Sequence, residues 1–323
     1  MTIAWVIGSN GLLGSAIERT LRKAGIRIFS LPYRFCWSDE ALLAQQLRQA
    51  AATFADSAGN SNDWELYWAA GTGTMNSLVE SLQQETRALT ALLDMIESES
   101  RLMAKPGAIG FASSAGGVYA GVASSPITEA TLEAPISAYG REKLRQEELF
   151  RSFSARQKQL TVLLARITTL YGPGQSYGKR QGLLAHIARC ILRKEIVRIY
   201  VPYDTIRDYI SADCAAERIV RSLRDIPRSQ PKNVFIKIIA SESPITIAEI
   251  LAIFRRVTRQ KFRTASVVNE LTSLYHRRHI YRSVVSFSDK EKPAEDIATG
   301  ISRIMAAEHC EFIKARNKPI LRA

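Results

Sequence analysis

Strand-length apolar runs alternate with segments of helical period over the first half of the chain. The first four are Ile3–Ile7, Leu12–Ala24, Ile26–Leu31 and Ala41–Ala52, which indicate strand, helix, strand and helix in turn. The rhythm continues in five further segments: Trp64–Ala69, Ser77–Ile96, Ala108–Ala112, Ser137–Phe153 and Thr161–Ile167. This alternation predicts an α/β fold in which a mostly parallel sheet carries helices on both faces.

After Tyr171 the pattern loosens, because glycine and proline interrupt any period in the segment YGPGQ. Shorter elements follow, and they are predicted at Leu183–Arg193, Ile196–Tyr200, Ala212–Leu223 and Val234–Ile239. Thr246 is followed three residues later by Glu249, which is the signature of a capping box at a helix start. The tail beyond Val284 shows only weak helical signals.

The first glycine-rich segment, GSNGLLG, lies where the first strand ends and the first helix begins. Glycine at such a turn lets the backbone bend tightly and approach a pyrophosphate at the helix N-terminus. In a chain with this rhythm we interpret the segment as a dinucleotide-binding turn. The candidate cofactor contacts are Gly8, Ser9, Asn10, Gly11, Leu12 and Gly14.

The end of the second strand bears on which dinucleotide binds, since an acidic residue there bonds the ribose of NAD and a basic one accepts the 2′-phosphate of NADP. The segment from Arg27 to Arg34 has no acidic residue. Ser30 and Arg34 together are suited to a phosphate, which favours NADP over NAD. Arg34 as a solvated loop charge is the alternative, so the cofactor choice stays open.

Tyr139 and Lys143 lie four residues apart near the start of a predicted amphipathic helix and therefore share one face. A nearby lysine cation stabilises a phenolate, so the pair is suited to proton transfer. Ser113 and Ser114 follow the strand Ala108–Ala112 and place hydroxyls at its carboxyl end, where ligands bind in open α/β sheets.

With these motifs in order the chain resembles the extended short-chain dehydrogenase/reductases, the NAD-dependent epimerase/dehydratase family of sugar-nucleotide enzymes. The resemblance covers nearly all of residues 1–260. It is carried by GSNGLLG, WAAGTG, FASSAGGVY, YGREK, ARITTLYGPGQ and IRDYISADCA. It implies a Rossmann-type doubly wound parallel sheet with a smaller C-terminal α/β substrate-binding domain.

The resemblance also implies domain boundaries and roles. Residues 1–171, with 205–240 returning to them, would bind NAD(P), and residues 172–204 and 241–323 would form the smaller domain. Tyr139 is then the acid/base, Lys143 holds the nicotinamide ribose and lowers the tyrosine pKa, and Ser114 bonds the reacting oxygen.

Further contacts are implied for other residues. Ala69, Ala70 and Gly71 would lie beneath the cofactor, and Arg207 would bind the diphosphate of a nucleotide sugar. Pairing with Asp204 or Asp208 is the alternative for Arg207. Ser113 and Thr169 complete the candidate substrate contacts.

The chain departs from the family pattern at several positions. Glu85 stands where an asparagine is usual, and Thr169 replaces another asparagine just before YGP. The segment Val201–Thr205 replaces a glycine-rich turn. The Thr-Asp-Glu of the 4,6-dehydratases is absent after the predicted strand Ala108–Ala112, which argues against a dehydratase.

The leading hypothesis is therefore an NAD(P)-dependent oxidoreductase acting on a nucleoside-diphosphate sugar, by 4-keto reduction with Tyr139 as proton donor. An NAD-dependent 4-epimerase is the alternative. The resemblance suggests a place in surface-polysaccharide precursor synthesis and a homodimer formed through the helices Ser77–Ile96 and Ser137–Phe153.

Charge raises a third hypothesis, a non-catalytic binding protein. The chain has a net charge of +13, with −4 on residues 1–149 and +17 on residues 150–323. Basic and aromatic residues mingle at Arg255–Arg263 and Tyr275–Arg282. No nucleic-acid motif accompanies them, so we expect the anionic partner to be a sugar nucleotide and not nucleic acid.

The cysteines and the apolar runs set the expected surroundings. Cys36, Cys190, Cys214 and Cys310 are scattered without zinc spacing, so no metal site is predicted. No run approaches the ~20 apolar residues of a membrane span, and the chain opens directly on a strand. We expect a reduced, cytoplasmic protein.

Overall fold

The structure is a computed structural model that describes residues 1–175, 182–226, 233–267, 277–287 and 293–316. The described helices are α1 Leu12–Lys23, α2 Glu40–Gly59, α3 Val79–Ser98, α4 Ser100–Met103, α5 Ala115–Val118, α6 Ala138–Ala155, α7 Leu183–Arg193, α8 Ala212–Asp225, α9 Ile247–Thr258 and α10 Ile297–Arg316. The described strands are β1 Thr2–Ile7, β2 Arg27–Phe29, β3 Asp63–Trp68, β4 Gly107–Ser114, β5 Leu160–Ile167, β6 Thr169–Tyr171, β7 Val197–Ile199, β8 Ile206–Ser211, β9 Val234–Ile239, β10 Pro244–Thr246 and β11 Thr264–Ser266.

The central sheet has six parallel strands in the order β2-β1-β3-β4-β5-β9. The chain passes from β1 outwards to β2 and then crosses back to β3 on the other side of β1. The strand order therefore reverses between β1 and β3, and a crevice opens at their carboxyl ends. The predicted Rossmann-type parallel fold is confirmed.

Each face of the sheet is covered by its own set of helices. Along β1, Trp5 and Ile7 belong to a buried cluster with side chains of α2, α3 and α6, whereas Ala4 and Val6 belong to a cluster with α1 and α8. Successive strand residues point to opposite faces, so an unbroken apolar strand is buried on both. This packing explains why the strands read as continuous apolar runs.

The later elements form a second cluster beside the sheet. Strands β10, β8 and β6 make a three-stranded sheet, and β11 pairs with β7. Helices α7, α9 and α10 pack together through apolar residues such as Leu184, Ile250 and Ile301. Strand β9 joins the central sheet, but the domain boundaries themselves stay a prediction.

Helix α10 is the largest difference from the sequence prediction, which found only weak helical signals there. Of its residues Gly300, Ile301, Ile304 and Glu308 are buried, so a charged residue occupies one of the buried positions. Glu308 pairs with Arg189 of α7, with 2.9 Å between Oε1 and Nη2. The helix is therefore stabilised by tertiary pairing that a hydrophobic period does not show.

Smaller differences occur at element ends. Strand β2 ends at Phe29 and not at Leu31, and β7 is shorter than the predicted Ile196–Tyr200. No helix among the described residues has the length and apolar character to cross a bilayer.

The capping box predicted at Thr246 is confirmed. The Thr246 hydroxyl accepts the backbone N–H of Glu249 at 3.1 Å, and the Glu249 carboxylate accepts the backbone N–H of Thr246 at 2.8 Å. Thr246→Ala removes one side of this pair and should lower the free energy of unfolding by about 1 kcal/mol. Urea denaturation measures the loss, and Thr246→Ser, which keeps the hydroxyl, should stay close to the parent.

Candidate active site

The glycine-rich turn folds back against β3 and α1 at the strand-order reversal. Gly8 has a φ of +89°, and a Cβ there would lie 2.6 Å from the backbone nitrogen of Ala70. A Cβ on Gly14 would lie 2.1 Å from the carbonyl oxygen of Gly8. Only glycine fits these two positions, so the turn brings β1, α1 and the end of β3 into direct contact.

Helix α1 begins beside this turn with its amide donors uncapped. Its N-cap is Gly11, which makes no side-chain hydrogen bond, and the first turn has no acidic residue. Unsatisfied N–H groups and the positive end of the helix dipole favour an anion at this place. The arrangement fits the pyrophosphate of a dinucleotide.

A cavity of about 730 Å³ extends from this turn between the carboxyl ends of the strands. It is lined by eight of the predicted cofactor contacts, Gly8, Ser9, Asn10, Gly11, Arg34, Ala69, Ala70 and Gly71. Leu12 and Gly14 lie outside its lining, as do Tyr139 and Lys143. The cavity therefore coincides with most of the predicted dinucleotide contacts.

Ser114 and Tyr139 are brought together by β4 and the start of α6. Ser114 ends β4 and caps α5 by accepting the backbone N–H of Gly117 at 3.1 Å. A Cβ on Gly117 would lie 3.0 Å from the Tyr139 ring, and one on Gly140 would lie 2.1 Å from the Gly117 carbonyl oxygen. The two glycines allow α6 to approach α5, which places the phenol beside the serine.

Lys143 lies one turn further along α6 and is buried, with 6% of its surface exposed. Its Nζ donates to Gln146 Oε1 at 2.9 Å and lies 5.9 Å from the centre of the Tyr139 ring. Burial lowers the pKa of Lys143, while Glu85 and Glu147 raise it. Within the described ranges no carboxylate pairs directly with the ammonium, so its charge faces neutral acceptors.

The pKa of Tyr139 is raised, chiefly by burial, and Glu85 adds to the rise while a hydrogen bond with Ser114 opposes it. The role that the resemblance implies for Lys143, which is to lower this pKa, stays a prediction. Burial penalises the phenolate, and Glu85 brings a like charge. Tyr139 therefore holds its proton at neutral pH.

A buried ionic cluster that was not predicted from the sequence lies one turn of α6 beyond Lys143. Arg166 of β5 is fully buried and donates to both oxygens of Glu147, at 2.9 and 2.7 Å. It also donates to Glu133 at 2.6 Å and to the Tyr119 hydroxyl at 2.5 Å. A lone arginine in the apolar strand LTVLLARI is a signal for such a pair, because a buried charge needs a partner.

Ser113 belongs to the cluster of Arg166 and Glu147, whereas Ser114 lies with Tyr139. Its hydroxyl, on a residue 4% exposed, donates to Glu147 Oε1 at 2.6 Å. Neighbouring strand residues point to opposite faces, so Ser113 and Ser114 cannot share one ligand surface. The hydroxyl of Ser113 is thus engaged with Glu147 and is not free to contact a substrate.

Arg207 and Thr169 lie in the three-stranded sheet, on β8 and β6. The Arg207 guanidinium donates to the carbonyl oxygens of Ile206 and Arg277, at 2.8 and 3.3 Å. Burial lowers the pKa of Arg207. Thr169 is exposed.

The two carboxylates considered as partners for Arg207 are bound elsewhere. Asp204 pairs with Arg277 at 3.6 Å, and Asp208 accepts the Thr168 hydroxyl at 2.6 Å and that of Ser241 at 2.8 Å. No carboxylate in the described part of the chain forms an ion pair with Arg207. Its positive charge is therefore suited to an anionic ligand. In the same part of the chain no group of acidic, histidine or cysteine residues is arranged to hold a metal ion.

Comparisons with known proteins bear on the family and the fold of the chain. The model of the NAD dependent epimerase/dehydratase family matches residues 4–236. A curated relative, dTDP-L-rhamnose 4-epimerase from Burkholderia thailandensis, is 34% identical over 96 residues. That match covers 29% of this chain and only 26% of the relative, about a quarter of its length.

Similar solved structures span nearly the whole chain. UDP-glucose 4-epimerase from Thermotoga maritima with UDP-glucose has a TM-score of 0.75 at 17% identity, covering 97% of this chain and 100% of that one. RMD from Pseudomonas aeruginosa complexed with NADPH has a TM-score of 0.74 at 18% identity, covering 96% and 100%. At these identities the likeness establishes the fold.

The buried Glu147–Arg166 pair predicts a large cost when it is broken. Glu147→Gln leaves part of the Arg166 charge uncompensated and should lower the free energy of unfolding by about 3 kcal/mol. Urea denaturation measures this. Glu148→Gln, at the exposed neighbouring position, should change it by less than about 0.5 kcal/mol. Equal losses in the two variants would contradict a structural role for the pair.

Proposed function

The chain belongs to the NAD dependent epimerase/dehydratase family, and on that premise we propose that it reduces a 4-keto nucleoside-diphosphate sugar with Tyr139 as proton donor. One observation carries the proposal: Ser114 and Lys143 lie near the phenol of Tyr139, and that phenol holds its proton. Membership of the family supports an enzyme that uses a nicotinamide cofactor and acts on sugar nucleotides. That the reaction runs as a reduction is our proposal.

The residues divide the chemistry among them. When bound, the reduced nicotinamide supplies the hydride for the keto carbon. Tyr139 gives its proton to the keto oxygen as negative charge develops there, and the Ser114 hydroxyl donates a hydrogen bond to the same oxygen. The Lys143 ammonium stabilises the phenolate left behind, because an opposite charge nearby favours the ionised form.

The nucleotide parts of both ligands meet positive groups. The uncapped N-terminus of α1 is suited to the cofactor pyrophosphate. Arg207 is suited to the diphosphate of the sugar nucleotide, since a guanidinium can give two parallel hydrogen bonds to phosphate oxygens. Thr169, exposed on the neighbouring strand, is a candidate for a further hydrogen bond to that ligand.

A 4-epimerase is the second candidate, and the names of the similar proteins favour it. Two of them are a dTDP-L-rhamnose 4-epimerase and a UDP-glucose 4-epimerase. An epimerase uses the same three residues but returns the hydride to the opposite face of the keto sugar. A homodimer through α3 and α6, a cytoplasmic location and a role in surface-polysaccharide precursor synthesis stay predictions.

The two candidates differ in what happens to the cofactor. A reductase should consume NADPH when given a 4-keto sugar nucleotide, seen as a fall in nicotinamide absorbance with one alcohol formed per NADPH. Interconversion of 4-epimers without net loss of reduced cofactor would overturn the reductase and support the epimerase.

Tyr139→Phe is the control for either outcome and should lower kcat by about 100- to 10,000-fold while the cofactor still binds. Tyr200→Phe alters an exposed tyrosine and should have no effect. Because reduction needs the protonated phenol and its pKa is raised, the reduction rate should stay level across neutral pH. It should fall only in the alkaline range, as pH rises through that pKa.

NADP is the cofactor we propose, because Arg34 lines the cavity just after β2, is exposed and has no carboxylate partner among the described residues. Arg34→Gln should weaken NADPH binding by about tenfold or more, the worth of a charge-assisted hydrogen bond, and leave NADH binding unchanged. Fluorescence titration measures both affinities. Arg48→Gln removes an exposed arginine of α2 outside the cavity lining and should alter neither. Equal weakening of both cofactors by Arg34→Gln would contradict 2′-phosphate recognition.

A further inference from the structure

We propose that Glu85 is a positioning residue of the candidate site, whose carboxylate fixes the loop after β3 and places a negative charge beside Tyr139. The inference rests on the proposed function only in taking Tyr139 as the acid. It concerns a residue at which the chain departs from the family pattern.

The first part of the argument is the loop. Glu85 lies on α3, and its Oε1 accepts the backbone N–H of Thr72 at 2.5 Å and that of Gly73 at 2.8 Å. The loop begins directly after Ala70, against which the nucleotide turn is packed at Gly8. One carboxylate thus ties α3 to the backbone that continues the floor of the cofactor cavity.

The second part of the argument is the position of the Glu85 carboxylate relative to the Tyr139 ring. A Cβ built on Gly73 would lie 3.3 Å from Oε2 of Glu85 and 3.4 Å from Cδ2 of Tyr139. The carboxylate and the ring therefore both border the space that a side chain at residue 73 would fill, and Cδ2 of Leu82 borders it too, at 2.6 Å.

The third part is the set of charged and polar groups around Tyr139. Ser114 approaches from β4, Glu85 from α3, and Lys143 from the next turn of α6. After burial, which is the largest cause of the raised pKa of Tyr139, Glu85 raises it further and the hydrogen bond with Ser114 lowers it. Glu85 also raises the pKa of Lys143, together with Glu147, against the effect of burial.

These effects point in one chemical direction. Negative charge beside the pair favours the protonated form of both residues, the neutral phenol and the ammonium. A neutral phenol is the form that gives a proton during reduction. Lys143 and an oxidised nicotinamide both favour the phenolate, and Glu85 offsets part of their effect.

Glu85→Gln tests the charge while keeping an oxygen that can accept the two backbone N–H groups. The readout is the phenolate absorbance of Tyr139, obtained by subtracting the spectrum of the matching Tyr139→Phe protein at each pH. The titration is run on the protein alone and with oxidised cofactor bound. Phenolate should appear about one pH unit lower in Glu85→Gln, a tenfold larger ionisation constant.

Glu80→Gln is the matched control, since it removes the same charge from an exposed position on the same helix. It should leave the phenolate titration in place. If Glu85→Gln titrates like the parent, or titrates at higher pH, the electrostatic role of Glu85 is wrong.

Glu85→Ala tests the hydrogen bonds, through hydrogen exchange at the amides of Thr72 and Gly73. Exchange should be at least tenfold faster in Glu85→Ala and near the parent rate in Glu85→Gln. Unchanged exchange in Glu85→Ala would overturn the proposal that Glu85 fixes this loop. Should Glu85→Gln fail to fold, Glu85→Ala also lacks the charge and must show the same lowered phenolate titration.

The titration of the protein alone and the exchange measurement need neither cofactor nor sugar nucleotide. A failure of the proposed function would appear as absent turnover or absent cofactor binding, with both of these results intact. A failure of the inference would appear in these two measurements, whatever the turnover.

Discussion

The buried pair of Arg166 and Glu147 holds α6, the helix that carries Tyr139 and Lys143, on the sheet. Arg166 is in the middle of the apolar packing of β5, and Glu147 is one turn after Lys143 on α6. A guanidinium out of reach of water requires its carboxylate partner, so the pair restricts how α6 can rotate or slide on β5. The positions of Tyr139 and Lys143 relative to Ser114 depend on that restriction.

The ion pairs of the structure do not account for the net charge of +13, because each pair joins a cation to a carboxylate and adds nothing to the excess. Several cations of the second half hold elements together: Arg189 pairs with Glu308, and Arg303 joins α10 to Asp213 of α8 at 2.8 Å. Arg207 remains as a charge suited to a ligand. Positive residues along Arg255–Arg263 are exposed, and of the second basic segment Tyr275 and His276 lie outside the described residues.

The sequence predicted most of the fold because its signals are local. Apolar strands separated by amphipathic helices, a glycine turn after β1 and the capping box at Thr246 each depend on residues within about one element. Helix α10 was missed because Glu308, a charged residue, occupies one of its few buried positions and its partner Arg189 is far away in the chain. The local pattern there carries no strong period.

Some features of the candidate site could likewise be predicted from local sequence, and others depend on tertiary contacts. Spacing alone put Tyr139 and Lys143 on one helix face and placed the glycine turn at the first strand end, since both follow from helix and strand geometry. Only the tertiary structure separated Ser113 from Ser114, paired Arg166 with Glu147 and brought Glu85 against Gly73 beside the phenol. Those contacts join β4, α3, α5, α6 and β5, which are distant in the chain. The direction in which the pKa of Tyr139 shifts depends on burial and on charges from those elements. The packing of the tertiary structure therefore decides that shift, and the order of residues along the chain does not.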